Sequence, residues 1–594
     1  MFFYKPINLQ CSGNIGRLTT NKGLLMSTKS KVGYSTNSLN TEKMLQFYKA
    51  KYEKYNKRKY YKYYVFGTIL TLGFVGYQTS ETANATLRYG YMSAKRIYNV
   101  TSALTKCIYY YSMTISKRDK MPIEEYSELL RNTHQKSADV ALDAIQQNGG
   151  QHISAMTYLL PPEWTNTMIP LQQECTQSSL EEIDSMFKKD IGKGIKDVFV
   201  EFDHEPIGVA SLAQVHKAKI YNPDTGNIQE VAVKCQHPTL STLVPLDVML
   251  TSYIFQVLDW WFPEYSLVWL SEELRESIFV ELDFNNERKN AEKTANHFNQ
   301  KQFDFLTIPR VFDAHKRFII MEFLTGSRLD AFDYEGYNIS RSKVSNEIGK
   351  MVNEMIFDDS VGVHTDIHGG NIAIKYNPKK SDDFEVILYD HGLYRYPTVE
   401  TRLLYSKFWL SLLNRDVEGM KKYLVLLGRI NEDEFPLLAA CLTGRSINTI
   451  VNEDLLNDTN DLALRENERN EMRERFLSSN SQGGDIFLQL MSILSKIPSV
   501  VLLLLKANDL NRHLQESVLS HDMSTQREYV LDTLRTYLMI GLYASRNILK
   551  NDTQQSLVKR WFINFKWSFR VFAFNWYIKF DNITTWIYSK IPFI

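Results

Sequence analysis

The sequence predicts an α+β fold in two lobes, preceded by a helical extension and, nearer the N-terminus, a single transmembrane helix. Three observations carry this expectation. From about residue 197 to 325 the apolar period is mainly that of strands, with helical stretches at 242–262 and 268–297 between them. After "TGSRLD" the period is helical again, to about 450. Residues 63–78 carry no charge and are mostly apolar or aromatic. At 594 residues the chain has room for several cores, and 69 Lys+Arg against 68 Asp+Glu give no global field. A nucleic-acid partner is therefore not expected.

In chain order, residues 1–41 contain no acidic residue, while Lys5, Arg17, Lys22, Lys29 and Lys31 lie among Ser, Thr and Asn. Such a composition is that of a mitochondrial transit peptide. The segment 42–62 is strongly basic: eight cations from Lys43 to Lys62 face only Glu42 and Glu53. It flanks the expected transmembrane helix at 63–78, whose sixteen residues are short of the ~20 needed to span a bilayer. The Tyr cluster at 60–64 supplies an interfacial belt that extends it. The charge asymmetry leaves the N-terminus in the matrix and the remaining chain in the intermembrane space. Residues 79–195 form the helical extension, in which "SLEEIDSMFKKDIG" has a capping Ser179, Glu182 three residues on and a closing Gly192. The small lobe occupies 196–325, with strands "DVFVEFD", "AQVHKAKIY", "EVAVKCQ", "FLTIPRVF" and "RFIIMEF". The helical lobe occupies 326–530. It includes a charge-rich insertion at 452–475 and "IPSVVLLLLKANDL", too short to span and expected to pack on the lobe. The tail 531–594 interleaves cations and aromatics, fitting either a membrane interface or a packed core. Five scattered cysteines with no CxxC indicate neither zinc nor disulfides.

"HTDIHGGNIAIKYNP" (364–378) is followed by "YDHGLYR". An Asp, an Asn five residues on, and then an Asp-x-Gly suit phosphoryl transfer. One aspartate orients the acceptor hydroxyl, and the asparagine and second aspartate hold Mg²⁺ on nucleotide phosphates. Here these are Asp366, with Asn371 and Asp390 as metal ligands. Upstream, Lys234 ends "VAVK", and Glu287 in "VELDFNNE" is its expected ion-pair partner. "PIGVASLAQVH" stands where a loop would cover the phosphates, giving Gly208, Val209, Ala210, Ser211 and Ala213 as nucleotide-binding candidates. Glu322, in "RFIIMEF", joins that set. Alanines replace glycines in this loop, at a cost in the φ > 0 freedom that lets backbone amides wrap phosphates.

Together "VASLAQVHKA", "VAVKCQHP", "ELDFNNE", "HTDIHGGN" and "DHGLY" resemble the UbiB family of atypical kinases, the aarF-domain kinases, over about residues 130–530. The similarity is greatest to the fungal and animal mitochondrial branch. It implies a protein-kinase-like fold with the helical extension over the active site, ATP and Mg²⁺ as cofactors, and Glu281 and Asp283 as an acidic pair facing the extension. It also implies action in ubiquinone or lipid homeostasis at the mitochondrial inner membrane, with an inner-membrane lipid or ubiquinone-related ligand and membrane proteins as partners. The family's Lys-x-Gly-Gln is altered: "QQNGGQHISAM" has Asn148 in place of lysine, or has lost residues after "NGG". Two functions follow: an ATP/Mg-dependent kinase or ATPase, or a non-catalytic, nucleotide-gated lipid- or partner-binding protein.

Overall fold

The computed structural model describes residues 85–117, 120–146, 162–168, 177–210, 212–222, 226–261, 268–443, 493, 496–519 and 526–590. The expected leader, the basic segment, the transmembrane helix at 63–78, the "NGGQ" stretch and the insertion at 452–475 lie outside these residues. Among the described residues no helix is long and apolar enough to cross a membrane.

The chain divides into two compact units, a smaller one of residues 4–109 and a larger one from Tyr110 onward. Of the smaller, only the first part of helix α1 (Ala85–Ile115) is described. In the larger unit the extension continues with α2 (Ile123–Gln146) and α3 (Pro162–Met168). A buried polar chain joins them: Trp164 Nε1 donates to Tyr111 Oη at 3.1 Å, and Tyr111 Oη lies 2.7 Å from His134 Nδ1. Helix α4 (Leu180–Ile191) has the expected capping box of Ser179 and Glu182, and Gly192 ends it at φ 71°.

A one-turn helix α5 (Ile195–Val198) then leads into the small-lobe sheet. Its strands are β1 (Glu201–Phe202), β2 (Gly208–Val209), β3 (Ala213–Tyr221) and β4 (Ile228–Gln236). Helices α6 (Leu240–Trp261), α7 (Val268–Glu281) and α8 (Phe284–Gln300) follow. Next come β5 (Leu306–Thr307), β6 (Val311–Ala314) and β7 (Phe318–Glu322). The sheet order is β1-β3-β4-β7-β6, with β2 also paired to β3, and every pairing is antiparallel. Period-two alternation fixes what each face meets. Val231, Val233 and Cys235 of β4 pack with Phe318 and Ile320 of β7 under Ile183 and Phe187 of α4. Ala232, Ile319 and Met321 face the other way, against Phe284 of α8. Lys234 belongs to this second face, so its ammonium emerges on the α8 side.

Three elements differ from the sequence reading. "DVFVEFD" is not one strand, since a helical turn over Ile195–Val198 leaves only Glu201–Phe202 for β1. The expected helix at 268–297 is two helices: Asp283 adopts an extended conformation and caps α8 by accepting from the Asn285 backbone N–H at 3.1 Å. "FLTIPRVF" is divided between two sheets. Its first part, β5, pairs in parallel with β11 (Phe384–Leu388), and Pro309, which has no N–H to give a ladder, separates it from β6.

The large lobe adds β8 (Ser327–Arg328), α9 (Arg341–Phe357), β9 (Val363–His364), β10 (Ile372–Tyr376) and β12 (Tyr394–Arg395). It continues with α10 (Val399–Leu413), α11 (Val417–Gly428), α12 (Phe435–Thr443), α13 (Ser499–Leu519), α14 (Gln526–Asn551) and α15 (Leu557–Lys590). One sheet runs β5-β11-β10-β8, and β12 pairs with β9 separately. Helix α9 is the centre of this lobe: Val344, Ile348, Met351, Val352 and Met355 are buried at helical spacing. Helix α13, from the "VVLLLL" run, packs against α9, as expected of a segment too short to span a membrane. Residues 526–551 straddle the expected boundary at 530 as one helix, α14, whose Met539, Ile540, Tyr543 and Ala544 enter the same core.

Candidate active site

The site assembles where the second face of the small sheet meets the loops around β9 and β12. Lys234 Nζ donates to both carboxylate oxygens of Glu287, at 2.8 and 3.0 Å, and to Asp390 Oδ2 at 3.0 Å. Its ammonium also lies 5.2 Å from the centre of the Phe284 ring. Glu287 is on the first turn of α8, so the Asp283 cap that separates α7 from α8 also sets the height of this carboxylate. Burial alone would lower the Lys234 pKa, but the charges of Asp390 and Glu287 outweigh it and hold the ammonium above its usual range. Burial pulls the Glu287 carboxyl upward, opposed by Lys234.

Asp390 is held from two sides. Oδ2 meets Lys234, and Oδ1 accepts from the Gly392 N–H at 2.8 Å. Burial acts against its charge, yet Lys234 and that N–H keep it well below the ordinary carboxylate range. A Cβ at Gly392 would stand 3.2 Å from Asp390 Oδ1, tighter than an ordinary contact, so a side chain here would press on the carboxylate that the Gly392 N–H holds.

The catalytic-loop candidate and the Asp-x-Gly segment are joined by backbone. Tyr394 pairs with His364 and Arg395 with Val363, and the Thr365 N–H donates to Leu393 O at 3.0 Å. His364 is the buried bridge: Nδ1 accepts from the Asp366 N–H at 3.2 Å, which leaves Nε2 to donate to Asp390 O at 3.1 Å. Burial lowers its pKa, consistent with this neutral form. Asn371 Nδ2 donates to Asp366 O at 3.2 Å, so the side-chain oxygen is what it can offer a cation.

Sequence reasoning missed Lys506. It rises from α13 and places Nζ 3.0 Å from Asp366 Oδ1. Nothing local marks it, because it lies 140 residues from its partner in a helix otherwise legible only as packing.

The remaining candidates are placed less uniformly. Glu281, the last residue of α7, joins the site, and its carboxyl is pushed up to about 8 by burial and by the charges of Asp390 and Asp366, with Lys234 opposing. Asp283 is engaged as the α8 cap, accepting from the Asn285 backbone and side chain. Gly208 and Val209 form β2, and the Ala210 N–H closes a tight turn on Ala213 O at 2.8 Å. His237 pins that turn, with Nε2 2.9 Å from Ala210 O. Ser211 lies outside the described residues. Glu322 ends β7, where its carboxylate accepts from the Arg310 N–H at 3.3 Å.

The charges gathered here are unequal. Asp366, Asp390, Glu281 and Glu287 are four carboxyls, faced by the two ammonium groups of Lys234 and Lys506. Burial is the larger cause of the raised Glu281 carboxyl, and that surplus adds to it. Hard oxygen donors in cationic deficit are what Mg²⁺ takes, so Asp390 and Asn371 fit the metal of a nucleotide complex.

Residues 170–424 match the family model described as the ABC1 atypical kinase-like domain. The ABC1 family protein MCP2 of Saccharomyces cerevisiae is 43% identical over 538 residues, covering 88% of this chain and 88% of that protein. Its homologue in Schizosaccharomyces pombe is 34% identical over 83% of this chain and 85% of its own length. The AarF domain-containing protein kinase 1 of Gallus gallus is 34% identical over 70% of this chain and 78% of its own length.

Proposed function

The chain belongs to the ABC1 atypical kinase family, and from that premise we propose that it is an ATP- and Mg²⁺-dependent phosphotransferase or ATPase. The single observation that carries this reading is the Lys234–Glu287–Asp390 cluster beside Asp366, with the contacts given above. Bound Mg²⁺ would supply charge neutralisation of the phosphates. Asp390 and Asn371 would hold it, and Lys234, fixed by Glu287, would hold phosphate oxygens. Asp366 would orient the acceptor hydroxyl or water, with Lys506 setting its carboxylate. The protein would act at the mitochondrial inner membrane, its kinase-like domain in the intermembrane space, on a lipid or ubiquinone-related ligand. That location is supported by the acid-free leader, the uncharged run at 63–78 and its basic flank.

The rival reading is a nucleotide-gated binding protein without turnover, favoured by the closed Ala210–Ala213 turn that His237 pins. Phosphate release from ATP and Mg²⁺, with and without phospholipid vesicles, separates the two. The kinase reading expects release that Asp366→Asn reduces by about 10²-fold or more. Nucleotide binding with no release in either protein would establish the rival.

A further inference from the structure

Helix α15 is apolar on two opposite faces. On one, Ile563, Trp567 and Val571 enter the core of the large lobe, and Trp567 is 3% exposed. Its ring lies so close over Gly541 of α14 that a Cβ there would come within 2.3 Å of it. On the other face Phe562, Phe565, Phe569, Phe572, Trp576 and Phe580 follow one another at three- and four-residue spacing, each at least 50% exposed. A helix apolar all round is normally buried all round. Here one side is already seated, so the stripe is not there to complete this core, and among the described residues nothing covers it. At ~1.5 Å per residue the stripe is on the order of 30 Å long, well beyond a scattered surface phenylalanine.

Its composition selects the occupant. From Leu557 to Phe580 there are five cations and no carboxylate. Arg560 is turned back to Leu549 O and Arg570 lies over the Trp567 ring, whereas Lys559, Lys566 and Lys579 are exposed. Phe and Trp in place of Leu and Ile, with lysines at the margins, suit the boundary between acyl chains and phosphates. The helix does not qualify as a span, so it would lie in the plane of the surface.

We propose that α15 is a lipid-docking surface that lays the large lobe on an anionic bilayer, its aromatic stripe entering the interface and its lysines meeting lipid phosphates. This contact is separate from any anchor at 63–78 and does not depend on the nucleotide chemistry. The test uses the full chain with an environment-sensitive fluorescent amino acid replacing Phe569. A second protein carries it in place of Tyr221, which is 60% exposed at the end of β3. Each is presented to vesicles of phosphatidylcholine, or of phosphatidylcholine and phosphatidylglycerol in equal parts, with plain or brominated acyl chains. The expected result is a blue shift and bromine quenching at position 569 on anionic vesicles, with position 221 remaining in water. Lys559→Glu combined with Lys566→Glu should weaken the response at least severalfold while leaving the melting temperature unchanged. Continued quenching of position 569 by aqueous iodide on anionic vesicles would overturn the proposal. So would shielding from iodide before vesicles are added, which would mean that a second copy or another segment covers the stripe. Equal responses to neutral and anionic vesicles would refute the charged-lipid assignment.

Discussion

Lys234 serves two carboxylates at once, and the metal-ligand candidate Asp390 is one of them. If Asp390 and Asn371 hold Mg²⁺, the ion would supply charge neutralisation at Asp390, and Lys234, kept in place by Glu287, would be the ammonium available to phosphate. Lys506 has a comparable relation to Asp366. If it holds the acceptor-orienting carboxylate, Lys506→Met should lower kcat by roughly tenfold to a hundredfold, as expected for loss of positioning, while nucleotide affinity changes little. A parallel fall in affinity would place Lys506 on the nucleotide instead. Glu281 gives a pH signature in the metal-free protein. A carboxyl raised from 4.5 to about 8 keeps its proton longer in the folded state than in the unfolded chain. Stability is therefore undiminished below pH 4.5, falls as pH rises towards about 8, and stays reduced above it. Glu281→Gln should remove that slope, so the variant melts like wild type at acid pH and above it near pH 8; identical slopes would contradict the assigned environment. Lys234, Glu287, Asp366, Asn371 and Asp390 could be named as candidates from the sequence because each stands in a short motif, and the Lys234 contacts to Glu287 and Asp390 are those the fold makes. Lys506 could not be named, since only the tertiary path of α13 brings it to Asp366.

The helices and strands owe their placement to caps and periods that were partly readable. The Ser179/Glu182 box and Gly192 announced α4, and "EVAVKCQ" was readable as a strand, whereas the face on which Lys234 lies came only with the fold. The break between α7 and α8 was missed because the polar run around Asp283 reads as continuous helix until its carboxylate is seen to cap the second one. The division of "FLTIPRVF" between two sheets was missed because strand pairing is a long-range property, whatever the local period. Arg402 of α10 shows the same long-range character. Fully buried at 1% exposure, its guanidinium donates to the carbonyls of Met355, Ile356, Asp358 and Val361 at the end of α9. It satisfies orphan carbonyls that a helix terminus leaves open, and burial lowers its pKa to about 10. Arg402→Met should cost at least about 2 kcal/mol, since buried carbonyls left without a donor cost roughly 1–3 kcal/mol each where water does not replace it. The measurement is denaturant unfolding, with a lowered midpoint and an unchanged slope; a loss under ~1 kcal/mol would mean water replaces the guanidinium.

At the scale of the molecule, two lobes with separate cores meet at a charged seam. The α4-covered sheet forms one core and the α9-centred helices the other. That division was legible from the change of apolar period near 325, and so was the kinase-like class. The continuation of the large lobe through α14 was not, because the packing of α14 on α9 and α10 is a long-range contact that no local period announces. The outward stripe of α15 was legible as interleaved aromatics and cations, but only the folded chain separates its seated face from its open one. The central claim is that the seam binds a magnesium–nucleotide complex through Asp390. Thermal unfolding of wild type and Asp390→Asn, each with and without Mg²⁺ and ATP together, tests it most directly. Ligand at about 100 times its Kd stabilises by about 2.7 kcal/mol, so wild type should melt several degrees higher with Mg·ATP and Asp390→Asn should scarcely move. Equal shifts in the two proteins, or none in wild type at saturating Mg·ATP, would contradict the account.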